Sequence, residues 1–238
     1  MYYNIFGDVM RLDKLLSNLR YGSRTDIKEA CKYKRVMVNN NVVKDSSVKI
    51  EEKDIITFDG KEVFHKEEFL LMLNKPSGYV CANKDNLNKT VIELIKEPYN
   101  RYDLNICGRL DIDTEGLVLI TNSGDLMHKI ISPRSNIDKT YYVEYSGKID
   151  KKALESPLEL IDGNNELYTT KGSKVEILTD NSCNITISEG KFHQVKRMFE
   201  KIGCKVTYLK RIRIGNINLD PNLRLGEYIE IEIDSLMC

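Results

Sequence analysis

GRLDIDTEGLVLITNSGD, residues 108–125, joins an acid-bearing loop to an apolar strand and the start of a helix. Leu117–Thr121 is an unbroken apolar run of strand length, suited to burial on both faces. Asn122-Ser123-Gly124 ends the run with turn residues, and residues 125–131 continue as a helix. Upstream, the run Phe69–Leu73 predicts another buried strand, closed by the turn Asn74-Lys75-Pro76-Ser77-Gly78, and Thr90–Ile95 predicts a short helix. Downstream, Lys139–Tyr145, Lys174–Leu178, Asn184–Ser188, Lys205–Ile214 and Glu227–Ile233 read as strands. Residues 193–202 read as a helix turning Val195, Met198, Phe199 and Ile202 inward, with Gly203 as its stop. Strands and helices do not alternate regularly, so the fold class expected is α+β.

The chain ahead of Phe69 has a different grain. Leu12, Leu15, Leu16 and Leu19 fall on one helical face, which predicts a helix over 12–20. Tyr21-Gly22-Ser23 breaks it. A second helix begins near Thr25 or Asp26, with Ile27, Ala30 and Cys31 inward and Asp26 and Glu29 at capping-box spacing. Arg35–Val38 is strand-like, Asn39-Asn40-Asn41 is a turn, Val42-Val43 begins a return strand, and Ile55–Phe58 is a further strand closed by Asp59-Gly60. This gives a small helix–helix–hairpin domain over residues 1–60. The polar segment KEVFHKEE, residues 61–68, reads as a linker, and a second domain spans 69–238.

The 238 residues carry 36 Lys and Arg against 36 Asp and Glu, a net charge of zero. The charge is unevenly spread. Residues 11–49 hold ten Lys and Arg against four acids, and residues 189–213 hold eight against two. Local patches rather than the total govern attraction to a polyanion, so nucleic acid stays open as a partner. No apolar run is long enough to span a membrane, and the N-terminus lacks the basic and apolar regions of a secretory signal. Six scattered Cys without CxxC spacing and three scattered His argue for reduced thiols in the cytoplasm and against a metal site.

Three stretches gather the remaining chemistry: residues 108–125, SPRSNIDKTYYV (132–143) and SEGKFHQVKRMFEKIGCKV (188–206). Taken singly, each has a plain explanation. Asp111 could cap a turn, Tyr141 could be a core aromatic, and Lys196 and Arg197 could be a solvated helix face. Together with LMLNKPSGYVCA (71–82) they resemble the pseudouridine synthases of the branch that modifies small-subunit ribosomal RNA. RLDKLLSNLRYGSRTDIKEACKYKRVMVNNNVVKDSSVKI (11–50) resembles the S4 RNA-binding domain. Its relatives often carry Gly where this chain has Asn40, a residue that tolerates the left-handed conformation.

The resemblance implies a mixed, mainly antiparallel sheet in the second domain. It implies conversion of a uridine to pseudouridine, in 16S ribosomal RNA, without a cofactor; a monomer is the default expected for a chain that clamps RNA between two domains. It makes Asp111 the catalytic carboxylate and sets aside Asp113 and Asp103. Tyr141 is the family tyrosine, with Tyr142 on the opposite strand face, and Lys196 is the basic residue, with Arg197 as the adjacent candidate. The active-site aliphatic residue stays open between Leu209 and Ile214. Arg11, Lys14, Arg24 and Lys28 can share a face and neutralise phosphates. Arg109, Arg134, Lys139, His193, Arg197 and Arg211 complete the RNA-binding set, with Ser132-Pro133-Arg134 and Lys210–Arg213 as backbone contacts.

The reaction breaks the N1–C1′ bond, turns the uracil and rejoins it through C5. A carboxylate can attack C1′ or help remove a ribose proton, and both routes stay open. Lys196 is the expected counter-charge that makes a partly buried carboxylate tolerable. Two other readings use the same residues: the same chemistry on 23S large-subunit RNA, or a non-catalytic RNA-binding protein in ribosome assembly.

Overall fold

A computed structural model describes residues 10–132 and 135–233. The chain divides into two compact units. One holds the chain up to Glu68 together with Lys96–Asp103, and the other holds Phe69–Ile95 and the chain from Leu104 onward.

In the first unit, α1 (Leu12–Asn18) buries Leu12, Leu15 and Leu16 against Ile27, Ala30 and Cys31 of α2 (Arg24–Lys32). The leucine spacing predicted the helix but not its end. Leu19 caps it and Arg20 turns to φ +62°, so the helix stops two residues short of Arg20. The cap of α2 also differs from the expected Asp26/Glu29 pair. Ser23 is the N-cap: its hydroxyl accepts from the Asp26 N–H at 3.2 Å, while the Asp26 carboxylate accepts from the Ser23 N–H at 2.8 Å. Replacing Ser23 with Ala should therefore cost about 1 kcal/mol, seen as a lower urea midpoint with an unchanged slope.

The antiparallel sheet of this unit runs in the order Asn41–Val42, Val36–Val38, Ile56–Phe58, Lys61–Glu62. Both hairpins close with two-residue turns whose central residues have positive φ: Asn39 (+50°) with Asn40 (+63°), and Asp59 (+51°) with Gly60 (+75°). Mirror-image turns of this kind match the twist of the strands. Lys61–Glu62 is thus a paired strand and Val63 is buried in the core, so the segment expected as linker over 61–68 begins inside the fold. Lys96–Asp103 joins the same unit. Tyr102 packs on the core, its hydroxyl accepts from the Lys66 N–H at 2.8 Å, and Arg101 lies 4.4 Å over the Tyr21 ring.

The second unit is built on a nine-stranded sheet. Its main path runs Lys174–Thr179, Ser182–Ile187, Lys139–Ser146, Lys205–Ile214, Glu115–Thr121, Leu70–Lys75, Tyr228–Ile231. Glu115–Thr121 and Lys205–Ile214 pair in parallel, and the other neighbours on this path pair antiparallel. The mixed, mainly antiparallel α+β architecture is the one expected. All six residues of Leu70–Lys75 are buried, which explains the unbroken apolar run. α3 (Gly124–Ile131) packs Leu126 and Ile130 onto Leu70, Met72, Leu117 and Leu119. α4 (Lys151–Glu155) is short. α5 (Gln194–Lys201) buries Val195, Met198 and Phe199, the last 5.4 Å from the Tyr145 ring. Thr90–Ile95 forms a 3-10 turn over Val91–Leu94 rather than an α-helix, with Glu93 accepting from the Thr90 N–H. Among the described residues no helix is long and apolar enough to cross a membrane.

Candidate active site

The loop leading into Glu115–Thr121 is fixed from below by two buried cations. Lys75, fully buried, donates to the carbonyls of Pro76 (3.1 Å), Ile112 (3.2 Å) and Thr114 (2.7 Å). Burial pushes its pKa down, and neighbouring groups including Asp113 and Asp111 oppose that shift. Arg211, 2% exposed, donates Nε to the Leu117 carbonyl at 2.8 Å and reaches the carbonyls of Arg109 and Gly108 at 3.4 Å each. This overturns the expectation that Arg211 contacts RNA. Its guanidinium is consumed by the backbone around residues 108–117 and has no face for a phosphate. The close approach needs Gly116, at φ +102°, where a Cβ would stand 2.2 Å from the Arg211 carbonyl oxygen. Two further bonds tie the loop: Leu110 N–H to Cys81 Sγ (3.3 Å) and Gly78 N–H to the Ile112 carbonyl (2.8 Å).

This anchoring presents Asp111, whose side chain is 22% exposed. Its Oδ2 lies 3.0 Å from Lys196 Nζ, and its Oδ1 lies 3.5 Å from His193 Nε2. Lys196 lies in the first turn of α5, so the helix brings the expected cation to Asp111. The same ammonium lies 2.6 Å from Asp113 Oδ1. Asp113, set aside in the sequence, is thus a second partner of Lys196, but its side chain is 64% exposed. Burial would raise the Asp113 carboxyl, and the hydrogen bond and charge of Lys196 outweigh it, so the net shift is downward. For Lys196, burial acts downward and is outweighed by hydrogen bonds to Asp113 and Asp111, so its ammonium is pushed up and stays charged through neutral pH.

Tyr141 is buried on its strand, in register with Arg211 on one side and Ile185 on the other. It is therefore tied through Arg211 to the loop that carries Asp111. Tyr142, its half-exposed neighbour, donates its hydroxyl to Glu144 at 3.0 Å. Arg197 does not share the Lys196 role: it donates to the Ile161 carbonyl and lies 5.3 Å from the Phe192 ring. Of the two aliphatic options, Ile214 sits in the cluster with Leu117, Leu119 and α3. Leu209 pairs with Val143, two residues along from the Tyr141–Arg211 pair.

Arg109 is exposed beside Asp111. Lys139 is half-buried and donates to the Ile137 carbonyl at 2.8 Å, its pKa pushed down by burial and then by Arg211. Arg134 lies outside the described residues. In the N-terminal unit Arg11, Lys14, Arg24 and Lys28 are all exposed, and Arg11 forms a two-pronged pair with Asp13 (3.1 and 2.6 Å). Lys75, Cys81 and Phe192 were not singled out in the sequence. A lysine closing a strand that opens on four apolar residues is a signal that could have flagged the first.

The family described as RNA pseudouridylate synthase matches residues 69–201, and the S4 domain matches residues 10–56. The chain is 40% identical over 235 residues to an uncharacterized RNA pseudouridine synthase of Bacillus subtilis, covering 95% of this chain and 97% of that one. It is 39% identical over 222 residues to a ribosomal small subunit pseudouridine synthase A of Yersinia pestis, covering 92% and 93%. A crystal structure of a pseudouridylate synthase superposes with a TM-score of 0.66 at 38% identity, covering 95% and 99%. The chain belongs to the RNA pseudouridylate synthase family and carries an S4 domain ahead of the catalytic one.

Proposed function

We propose that this chain converts one uridine of ribosomal RNA, in the small subunit, to pseudouridine, with Asp111 as the catalytic carboxylate. One observation carries the reading: a carboxylate open to solvent on a backbone-anchored loop, paired with Lys196 at 3.0 Å. Such a group is oriented and reachable, as attack at C1′ or stabilisation of its developing positive charge requires. Once the N1–C1′ bond breaks, the uracil turns, C5 bonds to C1′, and the C5 proton is lost to a base. Tyr141 is the aromatic surface for the turning base and a candidate for proton transfer. Lys196 balances the carboxylate and holds its rotamer.

The substrate class is supported by relatives named as small-subunit enzymes and by the S4 domain. The exposed Arg11, Lys14, Arg24 and Lys28 supply phosphate contacts there, and Arg109, Lys139, His193 and Arg197 supply them around Asp111. The enzyme acts as a monomer in the cytoplasm. The target base must leave its stack, a cost of a few kcal/mol that these contacts offset.

Carbodiimide labelling of ribosomal RNA from a deletion strain, read by primer extension, tests this directly. The expected result is loss of one labelled uridine in small-subunit RNA, restored by the intact gene. Loss in large-subunit RNA would move the substrate, and no loss in either would remove the catalytic reading.

A further inference from the structure

Phe192 is 55% exposed, an unusual setting for a large aromatic with no polar atom. It stacks on His193, with centroids 3.7 Å apart and planes 20° from parallel. His193 in turn takes a left-handed backbone, φ +52°, a conformation that costs energy for a residue other than glycine. That strain sets the imidazole Nε2 3.5 Å from Asp111. The Arg197 guanidinium lies 5.3 Å from the Phe192 ring, and Gly163 leaves room for that ring, since a Cβ there would stand 3.0 Å from it. Close by in sequence, the Lys191 ammonium lies 5.6 Å from the Tyr168 ring.

We propose that the Phe192–His193 stack is a base-stacking subsite of the RNA, in which an unpaired base lies on the column beside Asp111. The column of Arg197, Phe192 and His193 sets a guanidinium beside two stacked aromatic rings, the kind of surface that holds single-stranded nucleic acid with little sequence preference. Its His193 end meets the carboxylate, so a base stacked there lies next to the nucleotide being isomerised. Extraction of that nucleotide breaks stacking with its neighbours, and the column replaces part of what is lost. The inference rests on the pseudouridine synthase reading with Asp111 at its centre.

The test uses the full chain carrying Asp111→Asn, which halts turnover, and a short oligouridylate with one 2-aminopurine. Binding should quench the 2-aminopurine. Phe192→Ala and His193→Ala, each added to that chain, should abolish the quench and weaken binding by about tenfold. Phe192→Tyr should preserve both. A quench and affinity unchanged in both alanine variants would overturn the subsite, as would loss in Phe192→Tyr equal to that in Phe192→Ala with all variants folded by circular dichroism. The wild-type chain is assayed in parallel on small-subunit RNA. No product there would sink the functional reading whatever the quench does. Product formed equally fast by wild type and Phe192→Ala would sink the stacking subsite alone.

Discussion

Asp111→Asn should lower product formation by about 10⁴-fold while leaving RNA affinity and the folded state nearly unchanged. The substitution keeps the shape of the side chain and removes its charge. A charged lysine stranded in a partly buried site would normally destabilise the fold. Here Lys196 keeps a second carboxylate, Asp113, at 2.6 Å. Loss of activity and loss of stability are therefore separable at this position. The control is Asp113→Asn, in which Lys196 keeps Asp111 at 3.0 Å, so activity should fall far less. Single-turnover pseudouridine formation and RNA binding by gel shift, measured on both variants, decide the matter. Near-normal turnover in Asp111→Asn would remove Asp111 from the reaction. The Asp113 carboxyl is held below its ordinary range, so its pairing stabilises the fold above the ordinary carboxylate pKa and fades as pH falls through the lowered value.

The strands of the catalytic unit were legible because burial on both faces leaves apolar runs, as in Phe69–Leu73 and Leu117–Thr121. The edge strand Lys61–Glu62 was not. Both residues are exposed and charged, its pairing is set by the Asp59-Gly60 turn, and only Val63 marks it as part of the core. The cap of α2 was misplaced because two spacings fit, Ser23 with Asp26 and Asp26 with Glu29. The backbone of Tyr21-Gly22-Ser23 decided between them. At the site, Asp111 and Lys196 were readable only through resemblance. A loop residue and a helix residue 85 positions apart leave no local pattern. Asp113 was set aside because the resemblance puts the catalytic acid in GRLD, and nothing in a loop sequence says which other acids face a distant helix. Arg211 was misread because a basic strand, Lys210–Arg213, looks like a solvated phosphate-binding face. What buries it is the carbonyls of Gly108 and Arg109, a hundred residues away.

That misreading leads to the other large effect. Arg211→Met should destabilise the protein by about 2–4 kcal/mol, because the buried Leu117 carbonyl and the part-buried carbonyls of Arg109 and Gly108 lose their donor. For a chain of this size that is a fall in Tm on the order of 5–15 °C. The opposing consideration is that methionine spares the fold the cost of desolvating a charge, which in some proteins makes such a swap neutral. It does not win here. Among the described residues Arg211 has no carboxylate as a hydrogen-bond partner, and the Leu117 carbonyl it serves stays buried when it leaves. Methionine fills the volume and cannot donate to it. Arg211→Lys separates charge from geometry: one ammonium cannot reach the carbonyls of Leu117, Arg109 and Gly108 as a planar fork does. Lysine should recover part of the stability and little of the activity, since Gly108 and Arg109 lead directly into Asp111. A displacement of about 1 Å in a catalytic group can cost about a hundredfold in rate. Thermal melts and single-turnover rates on both variants test this together. Turnover in Arg211→Lys that tracks its stability, or a Met variant as stable as wild type, would return Arg211 to the surface role that the sequence suggested.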